Sequence, residues 1–216
     1  MSKKILLWVF VLGIFTPVAV FAAEGCRVNQ IVGQPLVERD GVTIPLNAND
    51  KLNKGDKLKT DANCQVDMSM NDLAGCRILA QSQVEVKGWK PESMSLSVNQ
   101  GNVILNLKKL PQESSFTLET PTAVASVRGT QFWGRVESST PDNPLTTFAV
   151  REGRVNVTDK LSSQSFQLDK GQALDLPKTA NKAPVVRQAM PEEMQAMQQA
   201  DEIKSDADGG LIPLLR

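Results

Sequence analysis

Leu96-Ser97-Val98-Asn99-Gln100-Gly101-Asn102-Val103 sets apolar residues two apart on either side of a glycine. Period-two alternation belongs to a strand with one face buried and one solvated. The glycine tolerates a positive φ that a side chain would oppose, so the stretch reads as strand, tight turn, strand. The same frame returns at Phe148-Ala149-Val150-Arg151-Glu152-Gly153-Arg154-Val155. It recurs less cleanly at Phe166, Leu168, Gly171 and Ala173, and loosely from Leu52 to Leu58 around Gly55. Further alternating runs, among them Phe116-Thr117-Leu118 and Val155-Asn156-Val157, follow one another roughly every dozen residues. The expected fold is all-β: a short-strand sandwich, roll or solenoid-like stack, with Gly101 and Gly153 as structural turn residues. The spacing is too irregular for a long, regular β-helix.

Outward from this region the pattern changes. On the N-terminal side, Ile31-Val32-Gly33 and Val42-Thr43-Ile44 are candidate strands around an Asp40-Gly41 turn. Residues 1–22 read as a signal peptide: Lys3 and Lys4, an apolar run from Ile5 to Phe15, then Val20-Phe21-Ala22 as a cleavage site. An uncut membrane anchor is the alternative, but Thr16 and Pro17 interrupt the run and no basic cluster follows Ala23. A lipid-modified Cys26 fits less well, since Glu24 stands two residues before it. The β domain is expected over 23–176 and a linker over 177–190, where Pro177 and Pro184 bracket polar residues. Residues 191–216 read as a short helix and tail. Pro191 suits a first helical turn, Glu192 and Glu193 suit the positive end of its dipole, and Met190, Met194 and Met197 recur at helical spacing.

Composition narrows the chemistry. Loss of Lys3 and Lys4 leaves a net charge of about −2, which is no footprint for nucleic acid or an anionic membrane. The chain has no histidine, which removes the commonest general base and every Ser-His or Cys-His pair. Its three cysteines are one short of an all-thiolate zinc site. No phosphate-binding or dinucleotide loop occurs, so no cofactor is expected. A glycosidase would need a groove lined with aromatics, and the exported chain offers Trp89, Trp133 and a few phenylalanines. Asp201, Asp206 and Asp208 lack the spacing of a calcium loop and read as an acidic tail. In an oxidising compartment one cysteine pair could bridge. Cys64 and Cys76, about a dozen residues apart across a turn, are the first candidates, with Cys26 open as a partner of either.

Phe116-Thr117-Leu118-Glu119-Thr120-Pro121-Thr122-Ala123-Val124-Ala125-Ser126-Val127-Arg128-Gly129-Thr130-Gln131-Phe132 resembles the central signature of the FecR domain family. There an apolar strand runs into Thr-Pro, then small alternating residues, then Val-Arg-Gly-Thr-x-Phe. Leu52 to Thr60, Val66 to Ile78 and Val150-Arg151-Glu152-Gly153-Arg154-Val155 resemble flanking parts, so the likeness spans about residues 42–176. The resemblance implies an all-β periplasmic module that receives a signal by protein contact. In the namesake regulators a cytoplasmic anti-sigma segment and a membrane span precede the domain. Here only a few residues precede the apolar run, so what carries over is the module and its protein-binding character.

Within the signature, Gly129 is expected to hold a backbone geometry that a Cβ would obstruct. Arg128 is expected to hold turn carbonyls or a carboxylate, and Thr130 to bond nearby backbone. All three read as structural first, with Arg128 and Thr130 as candidate partner contacts. Phe132 and Trp133 are adjacent in an alternating strand and face opposite sides, so an exposed Trp133 could anchor a partner. The expectation is a non-enzymatic envelope protein, periplasmic or secreted, that works by protein–protein contact. A module binding carbohydrate or cell-wall glycan is the alternative.

Overall fold

A computed structural model describes residues 25–203, apart from 72, 139–142 and 180–181. In chain order the strands are β1 (Cys26–Val32), β2 (Leu36–Arg39), β3 (Val42–Pro45), β4 (Lys51–Leu52), β5 (Lys57–Lys59) and β6 (Gln65–Met70). Next come β7 (Ala74–Ile78), β8 (Gln83–Gly88), β9 (Met94–Leu107), β10 (Phe116–Glu119), β11 (Ala123–Val127) and β12 (Gln131–Ser138). The last are β13 (Pro144–Glu152), β14 (Arg154–Asp159), β15 (Ser165–Asp169), β16 (Gln172–Pro177) and β17 (Val185–Gln188). One helix follows, α1 (Pro191–Gln198), then a 3-10 turn, Gln199–Glu202. The fold is all-β, as the alternation implies.

Pairing sorts the strands into two layers. The first runs β4-β1-β6-β7-β9-β12-β13-β16-β17. The second runs β3-β2-β5-β8-β9-β10-β11-β14-β15, antiparallel except where β10 lies parallel to β9. β9 is the 14-residue strand common to both. Met94–Gln100 pairs with β8 and β10, and Gly101–Leu107 pairs with β7 and β12.

The glycine frame therefore marks something other than a hairpin. Gly55, Gly101, Gly129, Gly153 and Gly171 each stand where the chain passes from one layer to the other. Hairpins within a layer fall elsewhere, for example at Asp40-Gly41 between β2 and β3. The crossings stack in two columns. Gly33 lies against Asn63 and Cys64, Thr60 bonds Ser82, and Ser82 lies against Gly101. At the other side Gly129 lies against Lys109, Gly153 against Gly129, and Gly171 bonds Val150.

One apolar core fills the space between the layers. It joins Val28, Val66, Met68, Leu105, Phe132 and Val150 of the first layer to Leu58, Val84, Leu96, Leu118, Ala125 and Val157 of the second. At Gly101 and Gly153 the residues −5 and −3 from the glycine enter this core from one layer and the residue two beyond it enters from the other; at Gly129 the residues −4 and −2, Ala125 and Val127, and Phe132 do so. A smaller cluster lies on the outer face of the first layer, where Met197, Ala200 and Ile203 cover Ile104, Trp133, Ala149 and Ala173. This cover explains why every residue of β7 is buried. The span 177–190, expected as a linker, contains β17, which pairs with β16 and carries the chain up to the cover. The expected helix starts at Pro191, and the tail beyond Ile203 lies outside the described residues.

Candidate functional site

The Val-Arg-Gly-Thr stretch forms the crossing between β11 and β12. Gly129 has φ of 81°, and a Cβ there would stand 2.8 Å from Lys109 Cα. Gly153, with φ of 83°, is packed onto it: a Cβ would stand 2.7 Å from the Gly129 carbonyl oxygen and 3.0 Å from Thr130 Oγ1. Both positions thus combine a left-handed backbone with contact to neighbouring chain, and only glycine meets both conditions. Thr130 is buried, its hydroxyl donating to the Arg154 carbonyl at 3.0 Å and its own carbonyl accepting from Leu107 N–H at 3.0 Å. Arg128 is exposed and donates from Nη2 to the carbonyls of Pro111 and Gln112. The signature thereby ties three chain segments to one another.

Upstream in the signature, Thr120-Pro121-Thr122 joins the layers through hydroxyls. Thr122 Oγ1 donates to Thr146 Oγ1 at 2.6 Å, and Thr146 Oγ1 donates to Thr120 Oγ1 at 3.0 Å. Thr120 and Thr122 belong to the β10–β11 turn and Thr146 to β13, so this chain of hydroxyls crosses the core edge from second layer to first. All three threonines are buried.

A cleft of about 790 Å³ opens beside the crossing, lined by Gln112, Ser115, Ser126, Arg128, Arg154 and Asn156 among others. Arg154 also pairs with Asp169 at 2.7 Å. The cleft offers two guanidinium groups, hydroxyls and amides, which suits hydrogen bonding to an extended polar chain. With no histidine in the protein, its serines have no imidazole to activate them.

The other expected residues lie apart from this cleft. Gly101 sits at the far end of β12, opposite Val136, where Ser82 fills the space a Cβ would take. Trp133 faces outward from β12 as expected, but is 5 % exposed, covered by the residues after Ala189 rather than open to solvent. Trp89 is half-buried against the main core. Cys64 and Cys76 are free thiols, which corrects the expected disulfide. Val66 pairs with Ile78 and Met68 with Cys76, so Cys64 stands about four residues along the ladder from Cys76. That offset is about 13 Å, well beyond the roughly 7 Å that a disulfide can bridge. Cys76 lies in the core, and burial pushes its thiol well above the usual range.

Sequence reading missed a second group, on the outer face of the first layer. Arg77 makes a two-bond pair with Asp67 at 2.8 and 2.7 Å, both side chains buried. Arg187 is held between Asp175 and Glu193, whose hydrogen bonds raise its pKa further above the usual arginine range. Arg151 donates to Asp201 at 2.7 Å, and Arg151 and Gln131 together hold the Asp201 carboxyl below its usual value. The helical spacing of the methionines was the available signal; what it packs on was not. Among the described residues no cluster of acidic and sulfur side chains is placed to hold a metal ion.

Comparison with known proteins gives one family match: the model for FecR protein matches residues 56–156. No curated protein matches the chain. Two crystal structures of a candidate anti-sigma factor from Parabacteroides distasonis ATCC 8503, at 2.50 and 1.65 Å resolution, share the fold. Each superposes with a TM-score of 0.56 at 14 % identity, over 66 % of this chain. The chain spans 64 % of the length of those structures.

Proposed function

From a chain whose residues 56–156 form a FecR domain, we propose an exported, non-enzymatic signalling module that works by protein–protein contact in the bacterial envelope. The family match carries this reading. The geometry supports a scaffold role for the signature: Thr130 and Arg128 bond backbone carbonyls of neighbouring segments. Export rests on residues 1–22, which lie outside the described residues. Among the described residues no helix is long and apolar enough to cross a membrane.

Two measurements test the reading. Mass spectrometry of the envelope fraction should find the chain starting near Ala23 and no peptide from residues 1–20; an intact N-terminus in the membrane pellet refutes cleavage. The purified domain used as bait on envelope extracts should retain a defined protein. Retention on purified peptidoglycan instead would establish the glycan-binding alternative.

A further inference from the structure

Residues 189–203 form a strap over the outer face of the first layer. Met194, Met197, Ala200 and Ile203 recur every third residue and lie on Ile104, Trp133, Ala149 and Ala173. Three arginines reach up from the strands to meet it. Arg187 donates to both oxygens of Glu193, at 2.9 and 2.6 Å. Arg151 donates to Asp201 at 2.7 Å and to the Met197 carbonyl at 3.2 Å. Arg77 donates to Glu202 at 3.2 Å and Gln199 at 3.4 Å. Gly75, the second residue of β7, completes the seat: a Cβ there would stand 2.7 Å from Ile203 Cγ2. A glycine inside a strand weakens it, and it is expected where another chain comes close.

Met197, Ala200 and Glu193 anchor the strap in this seat, but the rest of its hold is weak. An eight-residue helix is too short to hold its shape alone. Its carboxylates on Asp201 and Glu202 are 56 % and 71 % exposed, where ion pairs contribute little. It also buries the Arg77–Asp67 pair, whose desolvation opposes docking. The fit is incomplete as well. Trp133 Nε1 and Gln131 Oε1, on the β12 face that the strap covers, are buried without a hydrogen-bond partner among the described residues.

We propose that this face is a docking groove for an acidic amphipathic helix of a partner protein, occupied in the free molecule by the strap and yielded on binding. The strap displays the chemistry required: an aliphatic or methionine side chain every third residue, flanked by carboxylates that answer Arg77, Arg151 and Arg187. A competing strap lowers apparent affinity by the fraction of time it is closed, so the groove discriminates against weak helices. This inference rests on the protein-contact reading and assigns it a surface.

The probe is a fluorescent peptide with the strap sequence, residues 189–203, titrated into the full chain. The variant Met197→Asp with Ile203→Asp releases the protein's own strap and leaves the strands unchanged. The peptide should bind this variant at least tenfold more tightly than the parent. Adding Arg151→Glu and Arg187→Glu should abolish binding, and a peptide carrying Glu193→Arg and Asp201→Arg should restore part of it. No binding to the released variant, equal binding to parent and variant, or binding that survives the arginine reversal would each overturn the proposal. A parent that dimerises by exchanging straps would name a second copy as occupant, and overturns the partner helix too. If the released variant loses its strand circular dichroism, the parent decides the question by hydrogen exchange. Amides of Met194–Ala200 should exchange at least tenfold faster than those of β12 and β13; equal protection would show a strap that does not yield. Failure here is separable from failure of the functional reading, because a protein captured by the parent and still held after the arginine reversal places the contact elsewhere.

Discussion

Gly129 and Gly153 are each other's walls. Replacing Gly129 with valine forces a left-handed backbone on a β-branched residue, which costs about 1–2 kcal/mol or more, and drives Cβ into the Lys109 backbone. The Gly129→Val protein should therefore melt clearly below the parent. Gly153→Ala should do the same by pressing on the Gly129 carbonyl. Arg128 behaves differently because it is exposed, so water can replace it at the carbonyls of Pro111 and Gln112. Arg128→Ala should leave the melting temperature within a few degrees of the parent; a larger fall would make this arginine a structural anchor. Thr122→Val interrupts the buried hydroxyl chain and should destabilise by about 1–3 kcal/mol in urea unfolding, with the second-layer turn freed from β13.

At the scale of the element, the strands were legible and their partners were not. Leu96-Ser97-Val98 and Phe148-Ala149-Val150 read as strands because alternate residues enter the core, and they do. A glycine between two such runs, however, is satisfied equally by a hairpin in one layer and by a crossing to the facing layer. Both place the flanking apolar residues inside. Only long-range pairing separates them, as when Gln131 meets Asn106 and Val127 meets Val155. Likewise Pro191 and the methionine spacing announced a helix, while the burial of Trp133 depends on where that helix lies. The candidate site was legible in Arg128, Gly129 and Thr130, whose roles are local, and illegible in Gly75 and Arg77, whose roles come from a segment more than a hundred residues away.

The β4–β5 crossing gives a pH test. Asp56 is buried, which pushes its carboxyl up, but Arg39 donates to both oxygens at 2.9 and 2.6 Å and Asn53 N–H donates at 2.8 Å. These outweigh burial and hold the carboxyl below its usual value. A depressed folded value means the contribution is complete above the unfolded carboxylate range and is lost as pH falls through the folded value. Asp56→Asn should thus be less stable than the parent at neutral pH by about 1.5–3 kcal/mol. The gap should narrow as pH falls below the carboxylate range. Urea unfolding of both proteins between pH 7 and pH 2 checks this; a gap independent of pH would assign the effect to packing.

For the whole molecule, β9 is the member that both layers need. Leu105 lies in its second half and is fully buried. Leu105→Ala should cost about 2–5 kcal/mol, and circular dichroism and tryptophan fluorescence should still trace one coincident transition; two transitions would mean that the layers unfold independently. The thiols give a second check at this scale. Without reductant, denatured protein should take up alkylating reagent at both Cys64 and Cys76, whereas in the folded state Cys76 should resist it.

The stacked crossings have a consequence for how such a chain can vary. Within each column the crossings touch one another, so this part of the molecule is a ladder whose rungs repeat one kind of contact. Inserting or deleting a pair of strands at an outer rung leaves every inner rung with its neighbours. The stretch matched by the FecR protein model begins just after the Gly55 crossing and ends in β14, inside the ladder. β1 to β4 at one end, and β15 onward at the other, lie outside that stretch and extend the same two layers.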